Sequence, residues 1–407
     1  MQELVKSLGY YDLTAIGIGS IIGCGIFFLF SNILQRAGPL TALAFLCAAV
    51  PNIIAGLSYA ELAGMYNSNA VEYECLKETF NDTVASVSIY VLLAFLVFNS
   101  TTIIIFASHI LHLEHVKFYF CIFMLFLLSV INYFGIDVSK KITNTMSIVE
   151  LFILGVVIVF GMRYWHYGPE FFSIKKTKID KHTFWVASFL AIFLYTGYDA
   201  VVKLTEETKD SKKNVPKAVI STVLITSALY ILIAFTAVCL PILQEVAANV
   251  MPVAKMCEYI FGSGSYLKVV YLVGLFIVLN TFFVCIISLS RFVHGLSKEQ
   301  KLPPFLSKIN NHYNTPHNAI LAVFVIIALS LLVDNGEWAA SFANIFFLIF
   351  IIMLSMAVII LRIREPARER TYKIPFNIAN IPVPTVIGIA IYIAYLVLAL
   401  CSFHKIG

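Results

Sequence analysis

Apolar stretches of about twenty residues recur along this chain between short clusters of charge, and no other feature limits its folding more. An α-helix needs roughly 20 residues to cross about 30 Å of hydrocarbon. Eleven stretches approach or exceed that length: 13–34, 40–65, 83–111, 116–134, 145–162, 183–203, 217–242, 265–293, 318–334, 338–362 and 382–403. Lipid offers the backbone no hydrogen-bond partner, so such runs must be helical, and the expected fold class is an all-α polytopic membrane protein. Composition agrees, since 60% hydrophobic and 13% charged residues with a mean hydropathy of +0.89 exclude an ordinary soluble domain. The connections are too short for a soluble domain. No small-residue cleavage site follows the first apolar run, which is expected to be a retained helix.

The larger share of the 28 Lys and Arg falls on the side of the N-terminus, which predicts that the N-terminus is cytoplasmic. Arg163, Lys175, Lys176, Lys178 and Lys181 run against that bias on the opposite side. The net charge of +5 needs nothing beyond this bias, and no basic patch interleaved with aromatics suggests a nucleic-acid partner. The eight cysteines stand singly, without zinc or redox spacing, so no metal or cofactor is expected. Seven read as small buried residues; Cys24 is the exception, because of where it lies.

Cys24 falls within "GIGSIIGCGIF", residues 17–27, where four glycines occupy the middle of the first apolar run. Each glycine weakens a helix interior by about 1 kcal/mol relative to alanine. Two readings fit. Small residues could let another helix pack closely, or the helix could unwind near residues 22–25 and expose backbone groups to a ligand, which lipid permits only around a cavity. A second weak point favours unwinding: "FLAIFLYTGYDAVV" sets Thr196, Gly197 and Asp199 inside the sixth apolar run. Interruptions at matching places in two halves are the pattern of a transporter built from inverted repeats, here 13–162 and 183–362, with 382–403 as an additional helix. Repeat identity is not visible letter by letter, so this division rests on position.

The residues also resemble a known family. "GIGSIIGCGIF" followed by "GPLTALAFLCAAVPNIIAGLSYAELAGMY" is similar to helices one and two of the amino acid-polyamine-organocation superfamily of permeases. "YTGYDAVVKLTEETKDSKKNVPKAVIST" resembles that family's helix six and the loop after it. "SLSRFVHGLSKEQKLPPFLSKINNHYNTP" resembles the stretch after helix eight, and "RERTYKIPFNIANIPVPTVIG" the basic approach to helix eleven. The resemblance implies the leucine-transporter-like fold, a 5+5 inverted repeat with one additional helix. Relatives usually carry a twelfth, so any dimer contact it makes is open, as is the oligomeric state. In "YNSNAVEYECLKETF", Asn67, Ala70 and Val71 replace the usual proline and glycines, which predicts a less sharply turned loop.

The resemblance further implies an amino acid substrate whose carboxylate is held by amides of Gly23, Cys24 and Gly25, at the N-terminus of a half-helix suited to an anion. Its ammonium would meet carbonyls of Ile21, Ile22, Phe193 and Leu194, with Thr196 nearby. Cys24 stands where relatives often have a hydroxyl, and Leu194 where many have a smaller residue, which predicts a tighter pocket. No carboxylate besides Asp199 is evident for a cationic side chain, so a neutral amino acid is favoured. Phe193, Tyr195 and Tyr198 are candidates for aromatic gates or a cation–π contact, with simple packing as the alternative.

Ionisable residues within a membrane are functional candidates. Glu150, in "TNTMSIVELFILGVVIVF", lies where some proton-coupled relatives carry a lysine. Its expected roles are carrying the transported proton, ligating a cation, or snorkelling to an interface one turn away. Asp199 is expected to order the helix-six break. Glu61, Lys203, Glu206 and Glu207 are read as partners of nearby Lys and Arg, in a gate or on a solvated face. Asn99, Asn280 and Asn344 are read as interhelical hydrogen-bonders, and His109 and His112 as interfacial.

An intramembrane aspartyl protease would need a GxGD partner for the "YD" at 198–199, and none exists. The expectation is therefore a non-enzymatic, proton-coupled amino-acid symporter working by alternating access in a plasma membrane. The alternatives are an amino acid or polyamine exchanger, for which further cavity-facing acids are not evident, and a transport-deficient sensor or subunit.

Overall fold

The computed structural model describes residues 4–23, 25–110, 114–167, 180–262, 264, 266–332 and 336–403. Among them the chain is almost entirely helical. The first apolar run becomes α1 (Tyr10–Ile21), a π-helical turn (Gly25–Leu29) and α2 (Phe30–Ala37). Asp12 starts α1 by accepting the Gly9 N–H at 2.9 Å. Gly38, with φ of 49°, and Pro39 then turn the chain into α3 (Thr41–Ala63). A short α4 (Val71–Thr79) precedes α5 (Asp82–Ile110), α6 (Lys117–Tyr133) and α7 (Ile136–Gly161).

The sixth run is also divided, into α8 (Lys181–Leu194) and α9 (Asp199–Val202). It is followed by α10 (Ser211–Cys239), two short helices α11 (Leu243–Ala248) and α12 (Pro252–Phe261), α13 (Tyr266–Lys298), α14 (His317–Ser330) and α15 (Gly336–Arg364). A two-residue hairpin, β1 (Asn377–Ile378) with β2 (Ile381–Pro382), leads into α16 (Val383–Phe403).

Eight helical runs among the described residues are long and apolar enough to cross a membrane, and α6 and α14 are shorter apolar helices. Their outward faces carry Phe123, Phe152, Leu321 and Leu329, all exposed, as a lipid-facing surface requires. The protein is an all-α polytopic membrane protein.

Cutting the chain at its polar clusters misplaced one boundary by nine residues. The fifth run was expected to begin at 145, but α7 begins at Ile136. Its polar first turns stay helical because the Ser139 and Thr143 hydroxyls donate to the carbonyls of Gly135 and Ser139, and Lys140 pairs with Asp137 at 2.8 Å. Helices α4, α11 and α12 lie in connections that hydropathy alone passes over.

The core is built around the divided helices. α1 packs against α7, α9, α10 and α13, while α2 and the π-helical turn pack against α8. Each half of the first divided helix thus meets one half of the second.

Candidate functional site

Two glycines set how closely the divided helices approach. At Gly197, with φ of 127°, a Cβ would lie 2.7 Å from the Ser20 carbonyl oxygen; at Gly25 it would lie 2.6 Å from Leu194 Cγ. No side chain beyond hydrogen fits at either position, and the left-handed φ at Gly197 excludes other residues independently. The α1 helix ends at Ile21, and Ile22 is extended, with φ of −76° and ψ of 97°. Both breaks are therefore true interruptions, and they face one another across backbone.

Several of the sequence-selected groups come together there. Ile21, Ile22, Gly23, Gly25, Phe193, Leu194, Thr196, Tyr195, Tyr198 and Asp199 are all buried. Cys24 lies outside the described residues, as does His112; of His109 only the helical backbone is described.

The carbonyls selected for an ammonium already have donors. Tyr230 O–H donates to Ile21 O at 2.8 Å, Thr281 Oγ1 lies 2.9 Å from Ile22 O and 2.7 Å from Gly19 O, and Thr196 Oγ1 donates to Phe193 O at 2.7 Å. The Phe193 carbonyl also accepts the Thr196 N–H at 3.2 Å. Thr281 also fills the place of a Gly23 side chain, where a Cβ would come within 2.2 Å of its hydroxyl. Thr281 and Tyr230 were missed in the sequence; the signal for Thr281 is its polarity within the apolar run "IVLNTFF".

Glu150 does not snorkel, which removes one of its three expected roles. It is fully buried on α7, where Oε1 accepts Asn280 Nδ2 at 2.8 Å and Oε2 has no protein partner among the described residues. Asn280 also donates to Ser147 Oγ at 3.3 Å. The trio presses on α1 just before its break: a Cβ on Gly19 would lie 2.4 Å from Asn280 Nδ2 and 2.5 Å from Ser147 Oγ. Asn280 and Asn99, whose amide reaches Cys285 Sγ at 3.7 Å, bond between helices as expected; Asn344 Oδ1 has no partner among the described residues.

On the side of residues 4–9, termed the N-side, ion pairs seal the bundle. Lys203 Nζ lies 2.5 Å from Asp199 Oδ2 and 3.1 Å from Glu72 Oε1. Arg291 grips Glu207 at 3.0 and 3.2 Å and donates to Asn132 Oδ1 at 2.5 Å. Glu61 accepts Arg362 at 2.7 and 2.5 Å and the Ile374 N–H at 2.9 Å. These groups are buried, so the solvated-face reading fails for Glu61, Lys203 and Glu207. Glu206, paired with Lys298 at 2.9 Å, alone lies near solvent.

The altered loop after α3 joins this seal, because Asn69 accepts the Glu206 N–H at 2.9 Å and donates its own N–H to Glu206 at 3.3 Å. The N-terminal segment docks beside it: Ser7 and Leu8 N–H both donate to Glu207 O, and Lys209 N–H to Leu8 O.

On the far side, rings close over the breaks. Tyr195 packs against Tyr230 at 5.2 Å and Phe45 at 6.1 Å, and its hydroxyl donates to Phe45 O at 3.2 Å. Phe30 backs Phe45 at 5.6 Å. Tyr198 instead stacks edge-on against Tyr59, at 5.7 Å.

Of the cysteines, Cys75, Cys121, Cys239, Cys257 and Cys285 are buried as expected, but Cys47 is half-buried and Cys401 exposed, both on helices with lipid-facing sides. Among the described residues no group of metal-ligating side chains converges.

A sequence profile described as amino acid permease matches residues 8–403. The branched-chain amino acid permease BcaP of Bacillus subtilis is 26% identical, the alignment covering 96% of this chain and 87% of the relative. The methylthioribose transporter of the same organism is 23% identical over 97% and 89%, and its serine/threonine exchanger SteT 24% identical over 91% and 87%.

Proposed function

We propose that this chain, which belongs to the amino acid permease family, is a secondary active transporter that carries a neutral amino acid together with a proton. The observation that carries this reading is the abutment of the two breaks, Gly197 on Ser20 and Gly25 on Leu194. Amides of residues 23–25 would hold the substrate carboxylate, and the Ile21 and Ile22 carbonyls would hold its ammonium, with the Phe193 and Leu194 carbonyls and Thr196 beside them. Leu194 fills the space above Gly25, which favours a small or medium side chain.

A neutral substrate is supported by charge. Among the described residues Asp199 is paired with Lys203, and Glu150 lies behind α1 on Asn280, leaving no carboxylate at the breaks for a cationic side chain. The names of two relatives, for branched-chain amino acids and for serine and threonine, point the same way.

A buried carboxyl with one amide donor is stable in low dielectric only when positive charge accompanies it. Glu150 would carry the coupled proton, and Asn280 and Ser147 would pass its charge state to α1 at Gly19. Exchange of substrate between the two sides would follow from rocking of the divided helices, with α3 and α10, against the rest of the bundle, organised as the two five-helix repeats 13–162 and 183–362. Exposed Lys212, Lys213 and Lys217 support a cytoplasmic N-side, in a plasma membrane.

The test uses purified protein in liposomes. Labelled neutral amino acids should enter faster under an inward proton gradient, and Glu150→Gln should flatten the pH dependence. Uptake indifferent to the gradient would replace symport with exchange; saturable binding without uptake would remove the transport reading.

A further inference from the structure

The ion cluster at the foot of the second break holds more negative than positive charge. Lys203, Asp199 and Glu72 are 0%, 3% and 0% exposed, so one ammonium faces two carboxylates where water does not reach. Lys203 Nζ is 2.5 Å from Asp199 Oδ2 and 3.1 Å from Glu72 Oε1 and lies 5.2 Å over the Phe292 ring. Glu72 Oε2 has no protein partner among the described residues, and neither does the hydroxyl of Tyr59 or that of Tyr198. Both hydroxyls are buried, and that of Tyr59 lies within electrostatic range of Glu72 and Asp199. Three orphaned polar atoms thus surround a cluster that is one positive charge short of neutral, a combination that is expensive in low dielectric.

We propose that Glu72, Lys203 and Asp199 form a proton-binding site separate from Glu150, in which Glu72 takes one proton from the N-side when that end closes and releases it when the end opens. A proton on Glu72 Oε2 brings the cluster to neutrality and supplies the orphaned oxygen with an O–H. Release leaves a buried charge of minus one, which is relieved by water entering from the N-side, so deprotonation favours the open end. The elements bear on this directly: Glu72 belongs to α4, Asp199 to α9, Tyr59 to α3 and Phe292 to α13, so the site joins the foot of a divided helix to its surroundings.

The charged and titratable groups facing Glu72 are Lys203 and Asp199 from the helix-six foot and Tyr59 from α3, with Cys75 and Tyr198 adjoining Tyr59 and Cys285 of α13 facing Asp199 and Lys203. Burial pushes the Glu72 carboxyl up from the ordinary carboxylate range, against the opposing pull of Lys203.

The inference rests on the transport reading only for its functional consequence, so the first readout is independent of transport. Infrared spectra of the purified protein near neutral pH should contain a protonated-carboxyl band that Glu72→Gln removes and Glu150→Gln leaves in place. Protonated-carboxyl absorption that is identical with and without Glu72→Gln overturns the proposal, even if gradient-driven uptake is intact.

The second readout is substrate exchange in liposomes at equal pH on both sides. Exchange by the unmodified protein should rise with pH, and Glu72→Gln should flatten that profile. Lys203→Gln acts in the opposite sense: without its cation the cluster binds protons more tightly, moving the midpoint up by about one pH unit or more, a tenfold change in proton affinity. That variant serves if Glu72→Gln does not fold. An unmoved midpoint in Lys203→Gln, or an unchanged profile in Glu72→Gln, means a structural ion pair and contradicts the proposal.

Discussion

The two ends of the bundle are closed by different physics. The N-side is held by buried, multiply bonded ion pairs that link α3 to α15, α4 to Lys203 just after α9, and α13 to the loop that follows. Over the breaks the far side is closed by packed rings and the Tyr195 hydroxyl, which donates to Phe45 O at 3.2 Å. Ion pairs in low dielectric are strongly directional and lose heavily when one partner is removed. Rings slide over one another at small cost, about 0.5–1.5 kcal/mol per pair beyond burial. Opening the N-side therefore needs coordinated rehydration of several charges, whereas the far side opens by side-chain rearrangement.

Breaking the ionic end should have the largest effect. Arg291→Met leaves Glu207 buried without its counter-ion and should destabilise the protein by about 3–5 kcal/mol, read as a lower melting temperature in detergent. Adding Glu207→Gln should recover part of the loss. Next comes the seam between the ends: Gly197→Ala forces a left-handed φ and a Cβ against Ser20 O, and about 1–3 kcal/mol of strain should lower uptake roughly tenfold or more. Gly155→Ala, which meets nothing within 4 Å, should leave uptake unchanged.

The aromatic end should respond more mildly. Tyr195→Phe keeps the ring packing and loses one hydrogen bond, about 1 kcal/mol, so accessibility from the far side should rise roughly fivefold. A change as large as that of Arg291→Met would erase the distinction between the two seals. The smallest effect belongs to a solvated ion pair on that same far side, where Lys255 of α12 meets Glu258 at 3.1 Å and Glu245 at 3.3 Å. Hydrogen bonds to Glu258 and Glu245 hold its ammonium above the usual lysine range. Its contribution is therefore fully present at neutral pH, below the unfolded value, and lost as pH rises through the raised one. Lys255→Met should shift melting only slightly, and the shift should vanish in alkali.

Both helix breaks were legible because a glycine or polar residue inside an apolar run costs free energy that a lipid-embedded helix recovers only by packing closely or by breaking. Asp199, expected to order the second break, pairs with Lys203 at 2.5 Å. The ion-pair seal was legible only in part. Glu61 and Glu207 read as gate or solvated face, since hydropathy cannot distinguish a buried pair from a wet one; their partners Arg362 and Arg291 lie 301 and 84 residues away. Glu72 was passed over altogether. It lies in a polar loop sequence, "NAVEYE", and only the tertiary fold buries it under α9. Tyr230 and Thr281 were hidden for the opposite reason, as single hydroxyls within long apolar helices that most often bond their own backbone.

The central claim is that the backbone at the two breaks holds the substrate, and equilibrium binding of a labelled neutral amino acid to purified protein tests it most directly. Gly25→Leu would drive a side chain into Leu194, so saturable binding should disappear, and Gly25→Ala with Leu194→Ala, which frees the space that the new methyl needs, should retain part of it. Unchanged affinity in Gly25→Leu would contradict the account and move the substrate away from the breaks.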